Sequence, residues 1–388
     1  MISKKWPTQP LGQICLTSSG GTPSRSQSKY FGGGIPWVKS GDLTDGDVMT
    51  CEETITEEAL SQSSAKLFRK GTVLVAMYGA TVGKLGLLGM DATTNQAVCG
   101  ISVPEELDRI YLFYFLLSQR ASLIEKSTGG AQPNISQKII RELNVPMPPI
   151  AEQLRIVDIL SRANGIVRLR REAEKKAAEL IPALFLDMFG DPATNSKGWT
   201  MVAFGDVGEC RLGKMLDKQK QSGDFQLPYL RNVNVQWNRI DIYDLLTMDF
   251  HPDEQAKFRL QKGDILICEG GEVGRAAIWN GQMDECYYQK ALHRLRPNLE
   301  MVRPDFIVCL LWHLARTGAL LGASTHATIA HLTGVQLKAM KIICPPVALQ
   351  NQFEQFADRC KSIQSQQASA FSTAQATFNA LMAQVFQG

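Results

Sequence analysis

The hexapeptide Pro148-Pro149-Ile150-Ala151-Glu152-Gln153 returns as Pro345-Pro346-Val347-Ala348-Leu349-Gln350, at an offset of 197 residues. The same offset carries Ala183-Leu184 and Phe189 onto Ala380-Leu381 and Phe386, so neither copy has an insertion across this stretch. A period this long excludes a solenoid of small repeats and points to a duplicated domain.

Working upstream, the duplication continues with small changes of offset. Trp6 and Leu11-Gly12 match Trp199 and Phe204-Gly205 at 193, and Gln96 matches Gln289 at the same value. Ile35-Pro36-Trp37-Val38-Lys39 matches Leu227-Pro228-Tyr229-Leu230-Arg231 at 192, as Lys70-Gly71-Thr72-Val73-Leu74-Val75 matches Lys262-Gly263-Asp264-Ile265-Leu266-Ile267. Gly79-Ala80-Thr81-Val82-Gly83-Lys84 matches Gly270-Gly271-Glu272-Val273-Gly274-Arg275 at 191.

Each copy divides in two. The first parts, 1–149 and 191–346, hold short β-like runs punctuated by glycine and proline, followed by one apolar helical stretch. They read as α+β domains. The second parts, 150–190 and 347–388, each read as one long helix. Leu154, Val157, Leu160, Val167 and Leu184 recur at helical steps in the first, and Phe353, Phe356, Ile363 and Leu381 in the second. Pro149 and Pro346 suit helix starts, and Pro182 predicts a kink or short break inside the first helix. Roughly 38 residues at 1.5 Å each give a rod of about 55–60 Å. Two such striped rods are expected to pair antiparallel, holding two domains at opposite ends about a pseudo-twofold axis. Those nine stripe residues are the expected helix-pair or partner interface.

Bulk composition adds exclusions. A chain of 388 residues with 44% apolar and 20% charged residues is ordinary globular protein. No apolar run reaches the roughly 18 residues of a membrane span, and Met1-Ile2-Ser3-Lys4-Lys5-Trp6-Pro7 lacks a signal peptide's apolar core. Nine scattered cysteines without a Cys-x-x-Cys pair suit reduced thiols, a cytoplasmic location and no zinc site. A net charge of +3 permits a nucleic-acid partner without proposing one.

Catalytic signatures are incomplete. Gly79-Ala80-Thr81-Val82-Gly83-Lys84-Leu85 has one residue too few between its glycines for a phosphate loop, and Leu85 where a Ser or Thr binds Mg²⁺. Asp264 and Glu269 are answered in the first copy by Thr72 and Met77, so a two-carboxylate metal site is not duplicated. All five histidines fall in the second copy, with His326 and His331 in or beside a small-residue loop suited to contacting a partner. Polar loops fit recognition better. Thr22, Ser24, Arg25, Ser26 and Lys29 lie on a glycine-rich segment ending at Tyr30, and Arg231, Asn232, Asn234 and Gln236 interleave with apolar residues. Arg reads guanine, Asn and Gln read adenine, and Ser and Lys suit phosphates. Lys84 and Arg275 each follow a glycine turn able to approach a phosphate or groove.

Taken in order, these marks resemble the DNA-specificity subunit of type I restriction-modification enzymes. They are Gly20-Gly21-Thr22-Pro23-Ser24, Ile35-Pro36-Trp37-Val38-Lys39-Ser40-Gly41-Asp42-Leu43, the Gly-x-x-Val-Gly turn, Thr94-Asn95-Gln96-Ala97, and Asn134-Ile135-Ser136 followed by Val145-Pro146-Met147-Pro148-Pro149-Ile150-x-x-Gln153. The resemblance implies two target-recognition domains joined by an antiparallel helix pair, each reading half of a bipartite, asymmetric site in double-stranded DNA. It adds Lys39, Ser40, Asn95 and Gln96, with Gln289 and Lys290 opposite them, as candidate DNA contacts. It further implies a non-catalytic chain that binds no cofactor itself. Two methylation subunits would carry S-adenosylmethionine, and restriction subunits would carry ATP and Mg²⁺. The second copy departs at Tyr229-Leu230-Arg231-Asn232, Tyr288-Gln289-Lys290 and Ala330-His331-Leu332-Thr333, which suggests that the halves read different bases. The alternatives are a self-contained restriction or methylation enzyme and a coiled-coil scaffold that does not bind DNA. Against the first, Asp191-Pro192-Ala193 is the nearest approach to an Asn/Asp-Pro-Pro-Tyr/Phe methyltransferase motif and is incomplete.

Overall fold

A computed structural model describes residues 6–127, 133–217, 221–320 and 331–386. The chain forms two compact units: one runs up to Arg171 and resumes at Ala370, and the other spans Glu172–Ser369. Each unit therefore contains one mixed α/β domain and one half of each long helix.

The first unit is built on a five-stranded sheet in the order Leu16–Ser19, Val98–Ser102, Val73–Ala76, Leu85–Leu88, Gly46–Val48. Its first four strands run antiparallel and the last joins parallel. Val73–Ala76 is buried along its whole length, which explains why it reads as a continuous apolar run and not an alternating one. A four-stranded sheet places Phe31–Val38 parallel to Ala92–Thr94, edged by Thr54–Ile55 and Leu67–Phe68. Asp108 caps helix Arg109–Ser118 by accepting from the Ile110 and Tyr111 amides at 2.8 and 2.9 Å.

The second unit repeats the plan. Gly208–Leu212, Leu292–Pro297, Ile265–Cys268 and Ala276–Ile278 form an antiparallel sheet. Gln226–Leu230 pairs parallel with Tyr287–Tyr288, as its counterpart does in the first unit. Pro304–Arg316 opens with proline at its first turn, where the missing N–H costs nothing.

Helices Ile150–Phe189 and Val347–Phe386 each run 40 residues. In the first unit, Ile156, Leu160 and Val167 of one share a core with Phe378 and Met382 of the other. In the second unit, Phe185 and Phe189 share a core with Phe353 and Ala357. The start of each helix thus meets the end of the other, an antiparallel arrangement. The helix ends are aromatic: Phe386 lies 5.4 Å from Tyr111 and 5.8 Å from Phe115, and Phe189 lies 4.9 Å from Phe306 and 5.4 Å from Phe353.

The expected seam is only partly the real one. Leu160, Val167 and Phe353 are buried, and Val157, Leu184 and Leu381 pack against the cores. Leu154, Phe356 and Ile363 remain 51%, 45% and 41% exposed. The periodicity marked a face wider than the contact, and the buried seam runs through Ile156, Ala177, Phe185, Ala357, Phe378 and Met382. Pro182 does not break its helix, which continues to Phe189. One missing hydrogen bond is outweighed there by the burial of Phe185 and Phe189.

Candidate nucleic-acid interface

In the first unit, two glycines decide where the candidate loop runs. A Cβ on Gly20 would stand 2.1 Å from Thr94 Oγ1, and one on Gly21 would stand 2.2 Å from the Ser64 carbonyl carbon. Only bare backbone threads between these segments. The Gly21 amide then donates to Thr94 O at 2.9 Å, and its carbonyl accepts from the buried Trp37 indole at 3.0 Å.

Beyond this anchor the loop is laced by charge. Arg25 pairs with both Glu53 oxygens at 2.7 and 3.2 Å, and its guanidinium lies 4.6 Å from the Phe31 ring and 5.0 Å from that of Trp37. Lys39 reaches Glu53 at 3.0 Å and Glu52 at 3.2 Å, while Lys29 pairs with Glu58. Hydrogen bonds from Arg25 and Lys39 hold the Glu53 carboxyl below its usual range. Arg25 and Lys29 are exposed and their pairs are worth little, so these two cations can be exchanged onto phosphates at small cost, while the Lys39 pair is half-buried. The Ser24 and Ser26 hydroxyls bond each other at 2.8 Å.

Three candidate segments converge beside the loop. The Thr22 hydroxyl donates to Gln96 Oε1. The Asn95 amide donates to Val38 O at 3.0 Å, which brings Lys39 and Ser40 alongside. The Met77 amide donates to Ala97 O at 2.7 Å, which ties in the strand leading to the glycine turn. That turn uses positive φ at Gly79 (68°) and Gly83 (77°) and ends on Lys84, exposed and without a side-chain partner among the described residues.

The second unit repeats the convergence with different side chains. The Gln289 amide donates to Leu230 O at 3.2 Å, as Asn95 does to Val38 O, so Gln289 answers Asn95 and Lys290 answers Gln96, one residue away from the sequence match. Lys214 N donates to Tyr288 O at 3.2 Å, and Lys290 N donates to Lys214 O at 2.7 Å. Arg231, Asn232, Gln289 and the exposed Lys290 therefore meet, joined by the Lys214 backbone; the Lys214 ammonium is largely buried and committed to Asp249 O at 2.6 Å and to Glu254, so it holds the segment together and does not face a ligand. Lys214 occupies the place of Gly21 at the 193 offset.

Two expected contacts are corrected. Asn234 is 2% exposed; its Oδ1 accepts from Arg231 N at 2.9 Å and its Nδ2 donates to Asp244 O at 3.1 Å. Asp42 does the same for Lys39 N at 2.7 Å, so Asn234 holds a turn and does not face a ligand. Arg275 is largely buried, donating to Asn232 O at 2.9 Å and lying 3.6 Å from Glu272. It braces the glycine turn, unlike Lys84. Among the remaining candidates, Arg231 pairs with Asp244 at 2.7 Å, Asn232 donates to Gly270 O at 3.1 Å, and Gln236 donates to Val233 O at 3.0 Å.

Asp249, unmarked in the sequence, organises the approach to strand Gln226–Leu230. Its fully buried carboxylate accepts from Gly223 N at 2.9 Å, Gln226 Nε2 at 2.6 Å, Ser222 Oγ at 3.0 Å and Phe225 N at 3.2 Å. Burial opposes its charge, but these hydrogen bonds prevail and hold its pKa far below the ordinary carboxylate value. Asp264 is committed to Arg296 through two bonds of 2.8 Å, which accounts for its occurrence in one copy only. Among the described residues, no cluster of three or more His, Cys, Asp or Glu could hold a metal ion, and no helix is long and apolar enough to cross a membrane. His326 lies outside the described residues; His331 is exposed beside Gly270.

The geometry is two copies of one polar convergence on matched backbones, and the sequence comparisons find a domain that is likewise present twice. Residues 3–179 and again 196–372 match the type I restriction modification DNA specificity domain. The chain belongs to that family and carries its domain twice. It is 28% identical over 376 residues to the type I restriction enzyme MjaIX specificity subunit of Methanocaldococcus jannaschii, covering 91% of this chain and 86% of that one. It is 31% identical over 183 residues to the EcoR124I/EcoR124II specificity subunit of Escherichia coli, covering 45% of each. A solved chain from a study of assembly and conformational transition in the type I R-M system shares the fold over 100% of this chain and 99% of its own, with a TM-score of 0.65 at 20% identity. The S subunit from M. genitalium does so over 98% and 96%, with a TM-score of 0.51 at 17% identity.

Proposed function

We propose that each unit reads one half of a bipartite, asymmetric site in double-stranded DNA. The chain supplies recognition without catalysis and binds no cofactor. Methylation subunits carrying S-adenosylmethionine, and restriction subunits using ATP and Mg²⁺, act where it directs them in the cytoplasm. The observation that carries this reading is the repeated convergence: Asn95 N bonded to Val38 O and Gly21 N to Thr94 O in the first unit are answered by Gln289 N bonded to Leu230 O and Lys214 N to Tyr288 O in the second, gathering Thr22, Lys39, Ser40, Asn95 and Gln96 in the first and Arg231, Asn232, Gln289 and Lys290 in the second. Conserved framing with changed side chains is what two different half-sites require. Leu154, Phe356 and Ile363, left exposed on the long helices, are the proposed docking points for the methylation subunits. A net charge of +3 is small for tight duplex binding, so the partners supply further phosphate contacts.

The test is selection from a randomised duplex pool by the chain together with its methylation subunits, followed by mapping of methylated adenines. Two short specified blocks separated by a gap of constant length are expected. One continuous block, or methyl transfer by the isolated chain, overturns the reading.

A further inference from the structure

At the glycine turn the two units have exchanged their bulky group. In the first unit, Met77 O accepts from Ile135 N at 2.9 Å, which sets Tyr78 and Asn134 side by side as an isolated antiparallel bridge. In the second unit, Glu269 O accepts from Leu332 N at 2.8 Å, and the same two places are held by Gly270 and His331; this register moves the sequence match by one residue, so that Gly79 is answered by Gly271, which shares its positive φ, and Gly270 answers Tyr78. Tyr78 is 40% exposed and next to the turn that ends on the unpartnered Lys84. Gly270 has no side chain, and the exposed His331 ring closes over it: a Cβ added there would lie 3.0 Å from His331 Cε1 and Nδ1. A side chain at position 270 would require the His331 ring to give way by a few tenths of an ångström, so the bulky ring comes from one strand in the first unit and from the opposite strand in the second.

The position also suits contact with bases. Through the Met77 amide bonded to Ala97 O, Tyr78 follows directly on the strand that abuts the Asn95–Gln96 turn. Asn232 donates to Gly270 O at 3.1 Å, which places the candidate Asn232 against the same turn as His331. The two groups differ in what they can read. A tyrosine offers a hydroxyl that donates or accepts and a ring edge for a thymine methyl; an imidazole offers one nitrogen donor and one acceptor on a compact ring.

We infer that Tyr78 in the first unit and His331 in the second are contacts to base edges that set the different preferences of the two half-sites. This rests on the duplex-reading function proposed above. Both side chains are exposed, so their replacement leaves the cores intact.

The experiment is selection from a randomised duplex pool by the chain with its methylation subunits, using the wild type, Tyr78→Ala, Tyr78→Phe and His331→Ala. Tyr78→Ala is expected to relax discrimination by about tenfold or more at one or two base pairs of one half-site only. His331→Ala is expected to do so in the other half-site only, and Tyr78→Phe to fall between Tyr78→Ala and wild type. Unchanged preferences in both alanine variants, or a uniform loss of affinity for every sequence, overturn the inference while the wild type's selected site keeps the proposed function standing. A wild type that selects no bipartite sequence removes the proposed function and this inference together.

Discussion

Gln153 and Gln350 make the same three hydrogen bonds in their respective units. Gln153 accepts from Asp108 N at 2.8 Å and donates to Glu106 O at 3.1 Å and Pro148 O at 2.9 Å. Gln350 accepts from Arg303 N at 2.9 Å and donates to Met301 O at 3.0 Å and Pro345 O at 2.8 Å. Both are fully buried. Each amide ties the first turn of a long helix to the loop that enters the neighbouring domain helix. The repeated hexapeptide ends on glutamine because a side chain carrying an acceptor and two donors is needed there.

Replacing either glutamine leaves one buried backbone carbonyl, on Pro148 or Pro345, and two half-buried backbone groups without that partner. Gln153→Ala and Gln350→Ala should each cost about 2–4 kcal/mol, since one buried unsatisfied group costs about 1–3 kcal/mol. Urea unfolding measures this directly, and a loss under about 0.5 kcal/mol in both variants contradicts the assigned role.

Phe353 and Phe356 lie one helical turn apart with opposite fates. Phe353 is buried among Phe185 and Phe189, so Phe353→Ala should destabilise its unit by about 3–5 kcal/mol. Phe356 is exposed, so Phe356→Ala should change stability little and instead weaken capture of the methylation subunits in a pull-down. Equal effects on stability would show that the two faces are not distinct.

Glu53 restrains two cations of the candidate interface. Glu53→Gln should cost under about 1 kcal/mol of stability, yet tighten DNA binding at low salt and steepen its salt dependence by freeing Arg25 and Lys39 for phosphates. Arg25→Ala should do the reverse. A salt slope unaltered in both variants means that neither cation meets the backbone of the duplex.

The Asp249 carboxyl titrates well below its ordinary value in the folded chain, so the unfolded chain takes up its proton first as pH falls. Its stabilisation is therefore complete above the ordinary carboxylate range and is lost as pH drops through about 4 toward the folded value. Asp249→Asn should be less stable than wild type at pH 6, with the gap narrowing at pH 3.5. A constant gap between urea midpoints at the two pH values would contradict this.

The division into domains and long helices was legible because both features write themselves along the chain, one as a constant offset and the other as a period. The convergence of Thr22, Lys39 and Gln96 was foreshadowed by their being polar in the matched blocks. What escaped was direction. Asn234 and Arg275 have the chemistry of DNA contacts but turn inward, because the Asn234 amide closes the turn at Arg231 and the Arg275 guanidinium is bonded to Asn232 O. Phe356 and Phe353 share one stripe, and only packing separates the buried from the exposed member. Asp249 left no mark in the sequence, since its partners are mostly backbone amides.

The central claim, that two readers contact one duplex across a constant gap, is tested most directly by inserting a single base pair in that gap. Affinity of the chain with its methylation subunits for a selected site should fall at least about tenfold, because one step moves a half-site around the helix axis as well as along it. Equal affinity for the original and the lengthened site would contradict the account.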